Sequence, residues 1–341
     1  MSEAPVSENS IVEDDPEKAF APTTVGTVLG VRYDTVAWTW EIPGDKLGRL
    51  NEQILAALHA AVLSRREVWS LVGRIIHYCP LVPAGRFNLH HLIKINGKAG
   101  GKDDLVPLDA EVKRQLRFWL VVLNATTGLA SIPAVGVTAP AWAREFFTDA
   151  AGGSTSYVGA GCGGVSRDWW FHLPWGRKIN TGVSYQGRRL AGKMSALELV
   201  GPLMCVCAEP DLVRCQAVRI WVDNIGSVRI WRKGYSSSCG LSTTLVAALA
   251  AVAAALGCQV FVEKIARCSS APAVMADALS KAAFGKFREA AAAAGWPLRL
   301  EPAWVPPALL GWVANPVVNP DLGWDILRDL LPRTALLGYN C

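Results

Sequence analysis

The chain has 341 residues, 51% hydrophobic and 18% charged, with 34 Lys and Arg against 29 Asp and Glu for a formal net charge of +5. That balance excludes a wholly disordered chain, leaves material for large cores, and permits a polyanionic partner without demanding one. Nine Cys with no C-x-x-C pair, and no His beyond His172, exclude an evident zinc site and read as reduced thiols in a cytoplasmic or nuclear protein.

The opening "MSEAPVSENSIVEDDPEKAF" (1–20) reads as an acidic, flexible tail with neither signal nor transit character. Residues 25–42 alternate apolar and polar positions and predict strands. From Pro43 a 3.6-residue periodicity sets Leu47, Leu50, Ile54, Leu55 and Leu58 on one helical face, with a break near Ser64 dividing two helices. "LHHLIKI" is a short helical continuation, and residues 109–123 form another helix. This predicts a mostly helical domain over 21–124. The Pro/Gly/Ala/Thr stretch at 125–141 is the expected linker.

Beyond it the pattern changes to strands and helices in alternation, an α/β domain over 142–295. "AREFFTDA", "STSYVGAGCGG", "DWWFHLPW", "AVRIWVDN" and "QVFVEKI" are the strands. "SALELVGPLMCVCAE", "IGSVRIWRKG", "LSTTLVAALAAVAAALG" and "VMADALSKAAFGKFREAAAAAG" are the helices. The apolar run 245–256 is shorter than the ~20 residues of a membrane span and reads as a buried helix. "GAGCGG" (159–164) lacks the G-K-[ST] of a phosphate loop and reads as a Gly-rich strand or hairpin. Residues 296–341 carry seven Pro, among them those at 302, 306, 307, 316 and 320, and read as a C-terminal extension that packs on the surface or is partly ordered.

Four acids sit where sheet and helices can bring them together. Asp149 and Asp223 end apolar strands, Glu198 lies in the first turn of the helix that begins near Ser195, and Asp277 lies in the first turn of the last long helix. In α/β sheets, function gathers at the carboxyl ends of strands. Each acid also has a plain structural reading. Ser195-x-x-Glu198 fits a capping box, Asp223 a helix cap, Asp277 a helix-dipole partner and Asp149 a turn former. Taken together they suggest more. Four carboxylates in one pocket repel one another unless cations neutralise them, and two Mg²⁺ about 3.5–4 Å apart suit in-line phosphoryl displacement.

The acids Asp149, Glu198, Asp223 and Asp277, in that order and spacing, with "FFTDAAGGSTSYVGAG", "SALELVGPL", "IWVDNIGSVRIWRKG" and "MADALSK", resemble the ribonuclease H domains of retroelement reverse transcriptases. "EKAFAPTTVGTVLGVRYDTVAWTWEIPGDKLGRL" and "VWSLVGRIIHYCPLVPAGRF" resemble the thumb and connection region that follows the polymerase palm, most like DIRS-type and gypsy-type elements. The resemblance covers about residues 16 to 290. The palm's Tyr-x-Asp-Asp motif is absent, as is the His that many ribonucleases H carry in the loop before the last acid. Here that loop is "RCSSAPAVM", and Lys281 replaces the common Arg.

The resemblance implies a ribonuclease H-like mixed five-stranded sheet with flanking helices, preceded by a thumb/connection-like domain. It implies a hydrolase cutting the RNA strand of RNA–DNA hybrids with two Mg²⁺, Mn²⁺ being the alternative, as the C-terminal part of a reverse transcriptase. Asp149, Glu198, Asp223 and Asp277 would be the metal ligands. A palm and fingers region on another chain is an implied partner, and a membrane is not. The other readings are a degenerate fragment that binds duplexes without cutting, and a DNA nuclease or integrase of the same fold. Ten Lys and Arg between 177 and 233 suggest a phosphate-tracking surface, with Arg188, Arg189, Lys193, Asn224, Arg229, Trp231, Arg232 and Lys233 as its candidate nucleic-acid contacts; a solvated face is the alternative.

Overall fold

The computed structural model describes residues 23–330 except 38, 83–84, 98–99, 127–128, 132–143, 153–158, 177–178, 180–183, 186–187, 190–193, 215, 268 and 300, and gives the backbone alone for 125–126, 129–131, 184–185 and 188–189. The tail at 1–20, most of the expected linker and Gly153 therefore lie outside the described residues.

The first strands, β1 (Val25–Val28), β2 (Val31–Asp34) and β3 (Thr39–Glu41), form an antiparallel meander. Helix α1 (Gly44–His59) buries Leu50, Ile54 and Ala57, the stripe its periodicity predicts. The break at Ser64 has a definite cause. A short strand β4 (Val62–Ser64) pairs with β5 (Leu105–Pro107), and α2 (Arg65–Tyr78) starts with a capping box. There the Glu67 amide donates to Ser64 Oγ at 3.3 Å, and the Ser64 amide donates to Glu67 Oε2 at 2.7 Å. Helices α3 (His90–Asn96) and α4 (Ala110–Thr126) complete this part. Its core of Leu50, Ile54, Val72, Ile75, Leu92, Leu116, Trp119 and Leu123 is fully enclosed. The expected linker begins with structure: α4 runs to Thr126, and β6 (Leu129–Ser131) returns to pair with β3.

The second sheet has five strands. β7 (Arg144–Ala150), β8 (Gly161–Ser166) and β9 (Trp169–Pro174) form an antiparallel meander. After the small hairpin of β10 (Ser184–Tyr185) and β11 (Arg188–Arg189), β12 (Ala217–Val222) adds parallel to β7, and β13 (Gln259–Lys264) parallel to β12. The order is β13-β12-β7-β8-β9. The fold is α/β, a mixed five-stranded sheet flanked by helices with a helical N-terminal part, and it is compatible with the ribonuclease H-like fold. The helices are α5 (Met194–Leu197), α6 (Val200–Ala208), α7 (Pro210–Val213), α8 (Ile225–Lys233), α9 (Gly240–Ala255), α10 (Ala271–Ser280), α11 (Phe284–Ala293), α12 (Pro307–Ala314) and α13 (Leu322–Leu330).

Strand side chains alternate between faces, so the sheet carries two cores. Phe146 and Ile220 pack with α6, α9, α12 and α13, whereas Val165 and Phe147 pack with α10 and α11. Helix α9 is apolar on nearly every side because it is enclosed by other elements. Among the described residues no helix is long and apolar enough to cross a membrane.

Two sequence expectations change. The helix expected across 274–295 is two, α10 and α11, divided at Ala282, whose φ of 56° is left-handed. The C-terminal stretch is not a surface tail as far as residue 330, because α12 and α13 bury Leu309, Trp312, Ile326 and Leu330 in the main core. Their approach is close. A Cβ at Gly176 would lie 2.6 Å from Ala314 Cα, and one at Gly323 would lie 3.0 Å from Ala251 Cβ.

Candidate active site

Register brings the first two acids together. On β7, Phe147 lies opposite Trp221 of β12. The same offset sets Asp223, the residue after β12, level with Asp149. On its other side Asp149 pairs with Gly163 of β8. The glycine is required there: a Cβ at Gly163 would lie 2.5 Å from Leu279 Cβ and 2.6 Å from the Ser280 nitrogen. Helix α10 therefore rests directly on the strand, and Ser280 Oγ donates to Asp149 Oδ2 at 2.5 Å.

Glu198 arrives from a helix break rather than from the first turn expected for it. Helix α5 ends at Leu197 and α6 begins at Val200. Pro202 has no N–H to offer the carbonyl four residues back, which is that of Glu198, and its ring crowds that carbonyl, so the helix is interrupted there. The capping box does not form either: Ser195 Oγ donates to Asn224 Oδ1 at 3.4 Å. Glu198 is free of cap duty, and its side chain joins the strand-end acids. Asp277 also departs from its expected place. Ser270 caps α10, accepting from the Ala273 amide at 3.4 Å, with Pro272 in the first turn. The helix therefore starts at Ala271, and Asp277 falls past its middle.

Asp149, Glu198 and Asp223 each present an oxygen, all within 4.8 Å of one another. Asp277 lines the same cleft as Asp149 and Asp223. It is held by Lys281, whose Nζ donates to its two carboxylate oxygens at 2.6 and 2.7 Å. Glu198 is 1% exposed and Asp149 5%, and Glu198 Oε2 has no hydrogen-bond partner. Burial above all, then the charges of Asp149 and Asp223, pushes the Glu198 carboxyl well above the usual carboxylate range. Burial, with Asp223 and Asp277, also raises Asp149, against the opposing pull of the Ser280 hydroxyl and Arg267. A buried carboxylate oxygen without a partner, beside two more carboxylates, is costly unless a cation reaches it. The donors are all oxygen, so this centre suits a hard divalent cation.

Sequence reading did not single out Ser280 or Arg267. Ser280 was visible as the Ser of "MADALSK". Arg267 lies in the loop noted only for its missing His. Its Nε donates to Asp223 Oδ2 at 2.8 Å, and its guanidinium lies 3.7 Å from Asp149 Oδ1 and 4.0 Å from Asp277 Oδ1.

No family model matches the chain, and no curated protein matches it. Among solved structures it is similar to one titled as the foamy viral protease-reverse transcriptase dRH in complex with ds DNA, at 12% identity and a TM-score of 0.24. That match covers 71% of this chain and 38% of the other, so the chain spans well under half of its neighbour's length. A likeness this low carries no argument, and the reading of the site rests on its own geometry.

The expected nucleic-acid contacts fare unequally. Arg188 and Arg189 lie on β11, where only the backbone is described, and Lys193 is outside the described residues. Arg229, Arg232 and Lys233 are exposed on α8, with Lys233 Nζ 4.3 Å from the centre of the Tyr235 ring. Asn224 is a helix cap, its Oδ1 accepting from the Gly226 amide at 2.8 Å and the Ser227 amide at 3.4 Å. Trp231 is a correction: it is buried, with its ring centre 4.7 Å from that of Phe87, so its faces are not open to a base.

The raised carboxyls give the cation-free protein a definite pH dependence. A carboxyl whose folded pKa lies above its unfolded value contributes stability below the ordinary range of about 4, and loses it as pH rises through the folded value. Stability without divalent cations is thus expected to fall as pH climbs from about 4 toward neutrality. Glu198→Gln should melt higher than wild type at neutral pH in EDTA, with the gap closing toward acid pH, and should lose any stabilisation by Mg²⁺. Thermal melts across pH, with and without the ion, check this; parallel pH profiles for the two proteins would contradict it.

Proposed function

We propose that the chain is a ribonuclease H-type endonuclease that hydrolyses the RNA strand of RNA–DNA hybrids with two Mg²⁺, Mn²⁺ substituting. It would act as the C-terminal part of a retroelement reverse transcriptase. The observation that carries this is the convergence of Asp149, Glu198 and Asp223 within 4.8 Å from three separate elements, one of them with an unpaired buried oxygen. When bound, the ions would supply a water nucleophile at neutral pH and charge neutralisation for in-line displacement at phosphorus. Asp149 and Asp223 would hold both ions, Glu198 would orient the attacking water, and Asp277 would complete the set on the outer side. The bond made is water oxygen to phosphorus, and the bond broken is phosphorus to the leaving sugar oxygen.

The remainder of the chain fits a holding role. Residues 142–295 are proposed as the nuclease domain, 21–124 as a thumb- and connection-like domain with 125–141 as its linker, and 296–341 as a C-terminal extension. The exposed cations Arg229, Arg232 and Lys233 on α8 suit phosphate contacts, with Arg188, Arg189 and Lys193 proposed alongside them. A hybrid would be gripped through its backbone and the RNA 2′-hydroxyls. A palm and fingers region on another chain would be the natural partner.

The full chain, incubated with a labelled RNA–DNA hybrid and Mg²⁺, should shorten the RNA strand and leave the DNA strand and single-stranded RNA intact. Tight hybrid binding with no cleavage in Mg²⁺ or Mn²⁺ would favour the second reading, a fragment that binds without cutting. One observation favours that reading: Lys281 already engages both oxygens of Asp277.

A further inference from the structure

Arg267 follows β13 at the carboxyl end of the sheet, where the Ile265 amide still donates to the Val222 carbonyl at 2.9 Å and extends the ladder. Its side chain is 59% exposed, yet it reaches inward to three carboxylates: Asp223 at 2.8 Å, Asp149 at 3.7 Å and Asp277 at 4.0 Å. Long exposed side chains lose conformational freedom when held in one pose. This pose is maintained by the acids themselves, and no other described cation is placed within ion-pair distance of Asp149 or Asp223. Glu198 lies behind them with Oε2 unpartnered. The guanidinium thus neutralises the outer part of the centre and leaves the inner oxygen unserved.

We infer that Arg267 is the resident cation of this centre and competes with a divalent cation for the carboxylates of Asp149 and Asp223. The inference rests on the reading that the centre holds such a cation. Like-charged groups this close cannot both be served at full strength by the same oxygens: an ion seated between Asp149 and Asp223 repels the guanidinium, and Arg267 must swing out toward solvent. The Arg267 side chain then acts as a latch. It covers the acids when divalent cations are scarce and sets the concentration at which they enter.

The test is calorimetric titration of the full chain with Mn²⁺, comparing wild type with Arg267→Ala and Arg267→Lys. Arg267→Ala should bind Mn²⁺ about tenfold more tightly, which corresponds to about 1.4 kcal/mol. It should also melt lower than wild type in EDTA and gain more on Mn²⁺ addition, while Arg267→Lys should remain near wild type. Arg267→Gln serves as the second variant if the alanine form folds poorly, with the same direction expected. Equal or weaker Mn²⁺ affinity in the charge-removing variants, or no binding by any form, would overturn the inference. Tighter Mn²⁺ binding in a protein that never cleaves a hybrid would instead sink the nuclease reading and leave this one standing.

Discussion

Asp149→Asn is expected to cut hybrid cleavage by about a hundred- to a thousandfold while leaving the fold intact. The size follows from what is lost: one preorganised electrostatic group at a reacting centre is commonly worth factors of about 10²–10³, and Asp149 is the acid that meets both Ser280 and Arg267. It lies level with Asp223, accepts the Ser280 hydroxyl at 2.5 Å and faces Arg267. The amide has the same shape and still accepts from Ser280 Oγ. It also removes one charge from a cluster whose members repel one another, so the cation-free variant should be at least as stable as wild type. Loss of cleavage without loss of melting temperature separates a chemical role from a structural one. Near-normal cleavage by Asp149→Asn would remove the site from consideration.

Gly163→Val is expected to damage stability and site together. The first added carbon would fall 2.5 Å from Leu279 Cβ and 2.6 Å from the Ser280 nitrogen. The second of those is helix backbone, which cannot rotate away. Overpacking of this kind costs about 1–3 kcal/mol, and relief requires α10 to lift from β8. Lifting α10 withdraws Ser280 from Asp149 and carries Asp277 off the cleft, so cation affinity should fall along with stability. Gly163→Ala should show the same direction at smaller size. Gly48, which has open space around it in α1, supplies the control: Gly48→Ala should stabilise by about 0.5–1 kcal/mol. Chemical denaturation read beside Mn²⁺ titration checks both, and a Gly163→Val protein that keeps full stability would show that α10 does not sit as close as described.

The strands were legible because each buries one face or both, and apolar runs ending in Asp149 and Asp223 mark strand ends plainly. Asp149 and Asp223 can be read for the same reason: each sits at the end of an apolar strand. What could not be read was local. Ser195, three residues before Glu198, imitates a cap and masks the interruption that Pro202 makes between α5 and α6. The true start of α10 is hidden because the Ser270 cap and Pro272 lie in a Ser/Pro-rich stretch with the look of a loop. Trp231 looked like a stacking residue beside Arg232. Nothing local reveals that Phe87, far away in sequence, covers it. Ser280 and Arg267 owe their positions to tertiary contacts with Asp149 across the sheet, which no pattern along the chain announces. The apolar residues of α12 and α13 were visible, but the prolines around them drew the reading toward a tail.

The central claim is that Asp149, Glu198 and Asp223 form a divalent-cation centre. Anomalous scattering from a crystal of the full chain soaked in Mn²⁺ tests it most directly. The account predicts a manganese peak coordinated by carboxylate oxygens of Asp149 and Asp223, with Glu198 Oε2 turned toward it and the Arg267 guanidinium displaced. Manganese bound elsewhere, with Arg267 still seated on Asp223 and no peak among the three acids, would contradict it.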